Sequence, residues 1–136
     1  MMSYEILDHR ADEKFRATGE TPEEAFGSVV EAFADIVGGE SGIYHHDIEG
    51  EAENRDALLF DFLDRMIVLQ DTEQVVIGGL DELDYTRTES GYRIEATVLA
   101  DKITRGMSLM DVKAPTYNEM KTAYEEGIWV LEAVLD

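Results

Sequence analysis

The run Ile128 to Leu135 is apolar on both faces and holds a single charge, Glu132. A strand of that kind belongs in the middle of a sheet, with neighbours on both edges, because no face of it suits water. The rest of the chain therefore has to supply flanking strands and a covering layer. Ser3 to Leu7 alternates, with Tyr4 and Ile6 on one face, and Lys14 to Thr18 does the same with Phe15 and Ala17, the two-residue period of a strand. Between them Asp8-His9-Arg10-Ala11-Asp12 breaks the pattern.

Further strands lie in the second half. Tyr92, Ile94, Ala96 and Val98 alternate with Arg93, Glu95 and Thr97, after a Glu89-Ser90-Gly91 turn. This is the clearest half-buried strand of the chain. Ile43 to Glu51 is a weaker one. Val112 to Tyr124 reads as extended, with Ala114-Pro115 near its start or at a bulge, since proline cannot donate to a ladder. Glu125-Glu126-Gly127 supplies a turn before the final run, and Asp101 to Met110 shows no regular period.

Two helices complete the pattern. Thr21-Pro22-Glu23-Glu24 offers a capping threonine, a proline at the first helical position and a glutamate that closes a capping box. Phe26, Val29, Val30, Phe33, Ile36 and Val37 then share one face. Gly38-Gly39 ends the helix, because glycine accepts the left-handed residue found at many helix C-termini. A second helix starts near Asn54 or Asp56 and runs to about Leu69, with Leu59, Phe62, Leu63 and Met66 as its core stripe. The expected fold is α+β: one two-layer domain over 1–136, its two helices packed on one face of a largely antiparallel sheet.

Several function classes are excluded. With no cysteine, disulfides, thiolate metal sites and a cysteine nucleophile are absent. The chain has no phosphate loop, dinucleotide fingerprint, His-Glu-x-x-His or Gly-x-Ser-x-Gly motif. A formal charge of −20 repels phosphate, so neither direct nucleic-acid binding nor an anionic membrane surface is expected. The longest apolar stretch, Leu58 to Leu69, is broken by Asp61, Asp64 and Arg65 and does not suit a bilayer. Met1 to Asp8 lacks a basic region followed by an apolar run, so no signal peptide is read and a cytoplasmic location is expected. The scattered acids and the scarcity of lysine (four residues) fit a halophile-like, salt-adapted background. At about 1 M salt the screening length is only about 3 Å, so the bulk charge steers little.

The residues left as site candidates are few. His45 and His46 are adjacent and point to opposite faces of a strand, so both read as surface residues. Asp12 stands where a strand pattern breaks, and Asp136 follows the final apolar strand. Two carboxylates at neighbouring strand ends make an oxygen-rich place of the kind hard cations such as calcium prefer. The plain alternative is two solvated acids. Lys113, in Val112-Lys113-Ala114-Pro115-Thr116-Tyr117, is either a surface lysine or a cation presented to a partner or ligand.

Asp8-His9-Arg10-Ala11-Asp12, the following Gly19-x-Thr21-x-Glu23-Glu24-Ala25-Phe26, the run Val112-Lys113-Ala114-Pro115-Thr116-Tyr117-Asn118-Glu119-Met120, the helix segment Leu58-Leu59-Phe60-Asp61-Phe62-Leu63-Asp64 and the closing Val134-Leu135-Asp136 together resemble the archease family, in the same order and over essentially the whole chain. The resemblance implies a compact α+β fold with a strand-helix-strand-strand element. It implies a non-catalytic helper of the GTP-dependent tRNA-splicing ligase, one that promotes ligase guanylylation and repeated turnover in exon joining. It also implies a bound calcium, whose position carries onto Asp12 and Asp136, with Asp8, His9, Lys113 and Tyr117 as partner or supporting candidates. Three departures stand out. Arg10 replaces the family's usual threonine, so a cation beside the site either weakens metal affinity or substitutes for the metal's charge. Asp136 stands last, where many members carry one more residue, and its own terminal carboxylate is expected to substitute. Asn118 replaces a frequent histidine and is a poor proton carrier.

Two other classes compete. One is a metal-dependent hydrolase in which Asp12 activates water through a cation and His9 acts as base. The other is a general chaperone or binding module with many clients.

Overall fold

The computed structural model describes residues 2–7 and 13–136. In chain order the elements are β1 (Ser3–Leu7), β2 (Glu13–Gly19), α1 (Pro22–Val37), β3 (Tyr44–Ala52), α2 (Arg55–Glu73), β4 (Val75–Arg87), β5 (Tyr92–Lys102), β6 (Pro115–Glu125) and β7 (Ile128–Leu135). The class is α+β with antiparallel pairing throughout. The expected single sheet is instead two: a four-stranded one ordered β1-β2-β7-β6 and a three-stranded one ordered β3-β5-β4. Strand periodicity reports which residues share a face, not which strands pair, so the division is invisible to a local reading. The three-stranded sheet and α2 form the strand-helix-strand-strand element.

β7 is the central strand that its apolar run demands, paired on one edge with β2 and on the other with β6. Val130 to Leu135 are all buried.

α1 begins as its caps dictate. The Thr21 side chain accepts from the Glu24 amide at 3.1 Å, and Glu24 returns a bond to the Glu20 amide at 2.9 Å. Gly38 closes the helix at φ 92°, a left-handed conformation that glycine adopts without a Cβ penalty. The helix is buried further round than a one-face stripe requires: Ala25, Gly27, Ser28, Ala32 and Ala34 join the large apolar residues inside. α1 touches strands of both sheets, and small side chains let that close approach occur on several sides. Ser28 is fully buried, and its hydroxyl lies 2.8 Å from the Thr18 carbonyl and 3.0 Å from that of Glu24, so burial leaves no polar atom unserved.

α2 is capped by Asn54, whose side chain accepts from the Ala57 amide at 2.8 Å. It runs past the expected Leu69 to Glu73 and ends at Gln74 with φ 55°. The final turn carries Asp71, Thr72 and Glu73, which have no apolar stripe to mark them as helical. Phe62 meets Phe26 of α1 edge to face, with centroids 6.0 Å apart. Among the described residues no helix is long and apolar enough to cross a membrane.

Candidate functional site

The end of β7 is built by three neighbours. Glu13, the first residue of β2, pairs with Leu135, and so does Pro115, the first residue of β6. Beyond the strands the backbone keeps pairing: the Asp136 amide donates to the Ala114 carbonyl at 2.9 Å, and the Lys113 amide donates to the Asp136 carbonyl at 2.8 Å. Lys113 and Asp136 are both exposed, on a platform anchored by buried Val112 and Leu135. The sequence candidates Lys113 and Asp136, remote in the chain, are thus held side by side by main-chain bonds that leave both side chains available.

Asp8, His9, Arg10 and Asp12 lie outside the described residues. Glu13, the residue after Asp12, pairs with the residue before Asp136. Of the expected cation donors, Asp136 therefore stands at the sheet end as an exposed carboxylate, an oxygen ligand whose chemistry fits calcium. Among the described residues no three His, Asp or Glu side chains come together in a way that could hold a metal ion.

β6 does not run straight. Its register with β7 jumps between Thr116 and Lys121, and Glu119 adopts φ 60°. Tyr117 falls in the stretch of β6 between the two registers, and its ring stacks on Phe60 of α2 at 4.3 Å with an interplanar angle of 7°. Tyr117 keeps 56% of its surface exposed. An aromatic side chain braced on one face and open on the other suits a contact with a partner.

Sequence reasoning missed a charged ladder across the four-stranded sheet. Glu132, the one charge of β7, is only 8% exposed. Its carboxylate lies 3.0 Å from Arg16 and 3.7 Å from Lys14, while Arg16 also reaches Glu5 at 2.9 Å and Lys14 reaches Glu119 at 3.3 Å. The bond to Glu132 holds the Arg16 guanidinium above its usual range. The signal was present: Lys14 and Arg16 are two apart and so share a face, opposite an acid that an apolar strand would otherwise exclude.

His45 is exposed and 3.5 Å from Asp81, and His46 beside it is half-buried. The two sit opposite Leu99 and Val98 of β5 and, among the described residues, belong to no group that could hold a metal ion. On the three-stranded sheet, Asp47, Glu49, Glu82, Asp84 and Glu95 line a depression of about 390 Å³. These acids account for part of the negative surface. Arg93 reaches Glu49, Glu51 and Glu95 there, and those bonds raise its already high proton affinity.

At the opposite end of β7, Arg55 is clasped between Tyr92 and Trp129, 4.6 Å from each ring centroid, and its Nε donates to the Tyr85 hydroxyl at 3.0 Å. These residues come from α2 and from both sheets, so one guanidinium joins all three by stacking.

The architecture defines a class: small α+β proteins in which a strand-helix-strand-strand unit is joined to a second antiparallel sheet. Within that class the chain belongs to the archease family, since the model of the Archease protein family (MTH1598/TM1083) matches residues 4–136. Protein archease of Pyrococcus abyssi is 30% identical, with 100% of this chain and 99% of that one covered. The Thermococcus kodakarensis protein of the same name is 31% identical over the same shares. The solution structure of Methanobacterium thermoautotrophicum protein 1598 superimposes with a TM-score of 0.82 at 27% identity, covering 98% of this chain and 97% of that one. A crystal structure from Thermotoga maritima, described as an archease and possible chaperone, shares the fold with a TM-score of 0.65 at 17% identity, covering 96% of this chain and 94% of that one.

Proposed function

We propose that this archease is a non-catalytic activator of the GTP-dependent tRNA-splicing RNA ligase, promoting ligase guanylylation so that the ligase turns over repeatedly. The observation that supports the reading is the backbone lacing of Lys113 to Asp136, which brings the two residues together at one sheet end with both side chains exposed. A lysine held in place can neutralise phosphoryl charge as a nucleotide is transferred. Family membership supports the ligase as partner. The −20 charge favours action through a protein over gripping RNA.

Calcium is proposed as the ion at this end, with Asp12 and Asp136 as its protein ligands. When bound it would supply a hard positive charge that orders oxygen donors. The chain's own residues do the rest. Asp136 offers its carboxylate, the Ala114 and Lys113 main chain fixes where that carboxylate starts, and Tyr117 braces the neighbouring bulge. Asp8 and His9 are proposed as partner contacts.

The test is ligase guanylylation and multiple turnover, with and without the protein, across a calcium and chelator titration. Stimulation that falls with Lys113→Ala and with chelator is expected. No gain from the wild type would end the reading. A general chaperone would instead protect unrelated clients from aggregation and show no selectivity for the ligase. A hydrolase would act alone in a substrate screen with several metals.

A further inference from the structure

β6 takes five steps from Thr116 to Lys121 while β7, opposite it, takes two from Val134 to Glu132. Three residues are therefore in excess, where an ordinary bulge inserts one. The excess follows directly on the platform that joins Lys113 to Asp136, and Tyr117 stands in it. Glu119, in its middle, is left-handed at φ 60°. That conformation costs a residue with a Cβ roughly 1–2 kcal/mol, and it persists only where the surroundings hold it.

The bulge is held from two sides. On one side the Tyr117 ring lies flat on Phe60 of α2. Four residues earlier on the same helix, the Asp56 carboxylate accepts from the Thr122 hydroxyl at 2.5 Å. On the other side the Lys14 ammonium lies 3.3 Å from Glu119 and 3.7 Å from Glu132. β2 and β6 are not neighbours, because β7 runs between them. The Lys14–Glu119 contact therefore crosses over β7, spanning strands whose axes are about 10 Å apart, and straps the bulge to the start of β2. With Lys14 16% and Glu132 10% exposed, the anchored end of the strap is screened by salt less than a surface pair is.

We infer that Lys14 is a positioning residue of the activator, whose strap across β7 fixes the β6 bulge so that the open face of Tyr117 is presented to the ligase. The inference rests on the activator reading. Phe60 sets the plane of the ring, and Lys14, through Glu119, sets the backbone that carries it. A bulge ordered in advance has less freedom to lose on binding. The strap thus acts on the affinity for the ligase and leaves the activating step itself unchanged.

The experiment measures ligase guanylylation against activator concentration, well below the melting temperature. It uses the full chain and its variants Lys14→Gln, Lys14→Arg, Glu119→Gln, Tyr117→Ala, and Lys14→Gln combined with Tyr117→Ala. Thermal melts confirm that each is folded, and amide hydrogen exchange follows the bulge in the free proteins. The Asn118 amide, which donates to the Thr116 hydroxyl at 3.0 Å, is its natural probe. Lys14→Gln should speed that exchange and raise the half-maximal concentration about fivefold at unchanged maximum. Glu119→Gln, at the exposed end of the strap, should repeat the shift. Lys14→Arg keeps the charge and the reach and should restore both readouts. Tyr117→Ala should raise the half-maximal concentration about tenfold, and adding Lys14→Gln to it should change nothing further, because the strap acts through the ring. A lysine that merely stabilised the fold would lower Tm without this pattern. An unchanged half-maximal concentration in Lys14→Gln, or a full further loss on adding it to Tyr117→Ala, would overturn the proposal and leave the activator reading standing. Wild type without stimulation would remove both.

Discussion

The Lys113 amide donates to the carbonyl of Asp136 at 2.8 Å, joining two exposed residues through their backbones alone. Because no side chain takes part, the platform survives side-chain replacement. Asp136→Asn should therefore leave thermal stability within about 0.5 kcal/mol, as for an ordinary surface change. It should also weaken any calcium-induced stabilisation, which for wild type would be about 2.7 kcal/mol with calcium a hundredfold above Kd. Calorimetric melts with calcium and with chelator check this. An equal calcium shift in wild type and variant would remove Asp136 from the ligand set.

Glu132 couples β2 to β7 through Lys14 and Arg16. Glu132→Gln should lower Tm, because two cations lose a partner they hold largely away from solvent. Lys14→Met should do the same. The double variant should lose less than the two singles together, since contacting residues are not additive. Strict additivity would show that the pair is not coupled.

Burial raises the proton affinity of the Tyr85 phenol above that of an ordinary tyrosine, with the Arg55 guanidinium opposing part of the shift. The neutral phenol is the form the fold favours. Its contribution is therefore complete below the unfolded pKa near 10 and is lost as pH rises through the higher folded value. Alkaline titration followed by ultraviolet absorbance should show Tyr4, raised by burial and Asp35, and Tyr85 titrating late, and the late signal should shrink by one residue in Tyr85→Phe. The variant should also lose less stability than wild type as pH passes 10.

Gly78 sits at the first irregularity of β4, where its Cα approaches the main chain of Ser41 so closely that a Cβ would collide with the Ser41 carbonyl. Main chain cannot rotate away as a side chain can. Gly78→Ala should destabilise by about 2–3 kcal/mol, at the upper end for overpacking. Gly127→Ala is a useful contrast: nothing lies near its Cβ position, although its φ of 88° leaves the replacement strained. Urea unfolding midpoints compare the two.

What the chain disclosed in advance was whatever is encoded locally. Thr21, Glu24 and Gly38 mark both ends of α1 because capping involves residues three or four apart. The alternation from Tyr92 to Val98 marked β5, which runs on to Lys102 through residues with no legible period, and the doubly apolar run gave β7 its central place. The split into two sheets depends on which strands pair across long stretches of chain, and alternation is silent on that. β4 was blurred by its two register shifts, which interrupt the two-residue period at Ile77/Gly79 and Leu80/Glu82. At the candidate site, Asp136 stood out by its place after the final apolar strand, Lys113 as one of four lysines and Tyr117 through the family motif, and the backbone lacing and the stacking on Phe60 came only with the fold. Asp12, Asp8 and His9 fall outside the described residues, so that half of the expected site is carried by the motif alone.

The insertion of β7 between β2 and β6 sets an order of assembly. Arg16 and Glu132 are 116 residues apart in the chain, so during synthesis β2 emerges long before its partner exists. Until then Phe15 and Ala17 lack half of their cover, and one edge of β2 offers unpaired amides and carbonyls, the template on which chains self-associate. Such distant pairing also makes closure of the four-stranded sheet a late, slow step. The dense negative charge, of little use for steering in high salt, then has a second service: at lower salt it keeps half-made chains apart while the missing strand arrives.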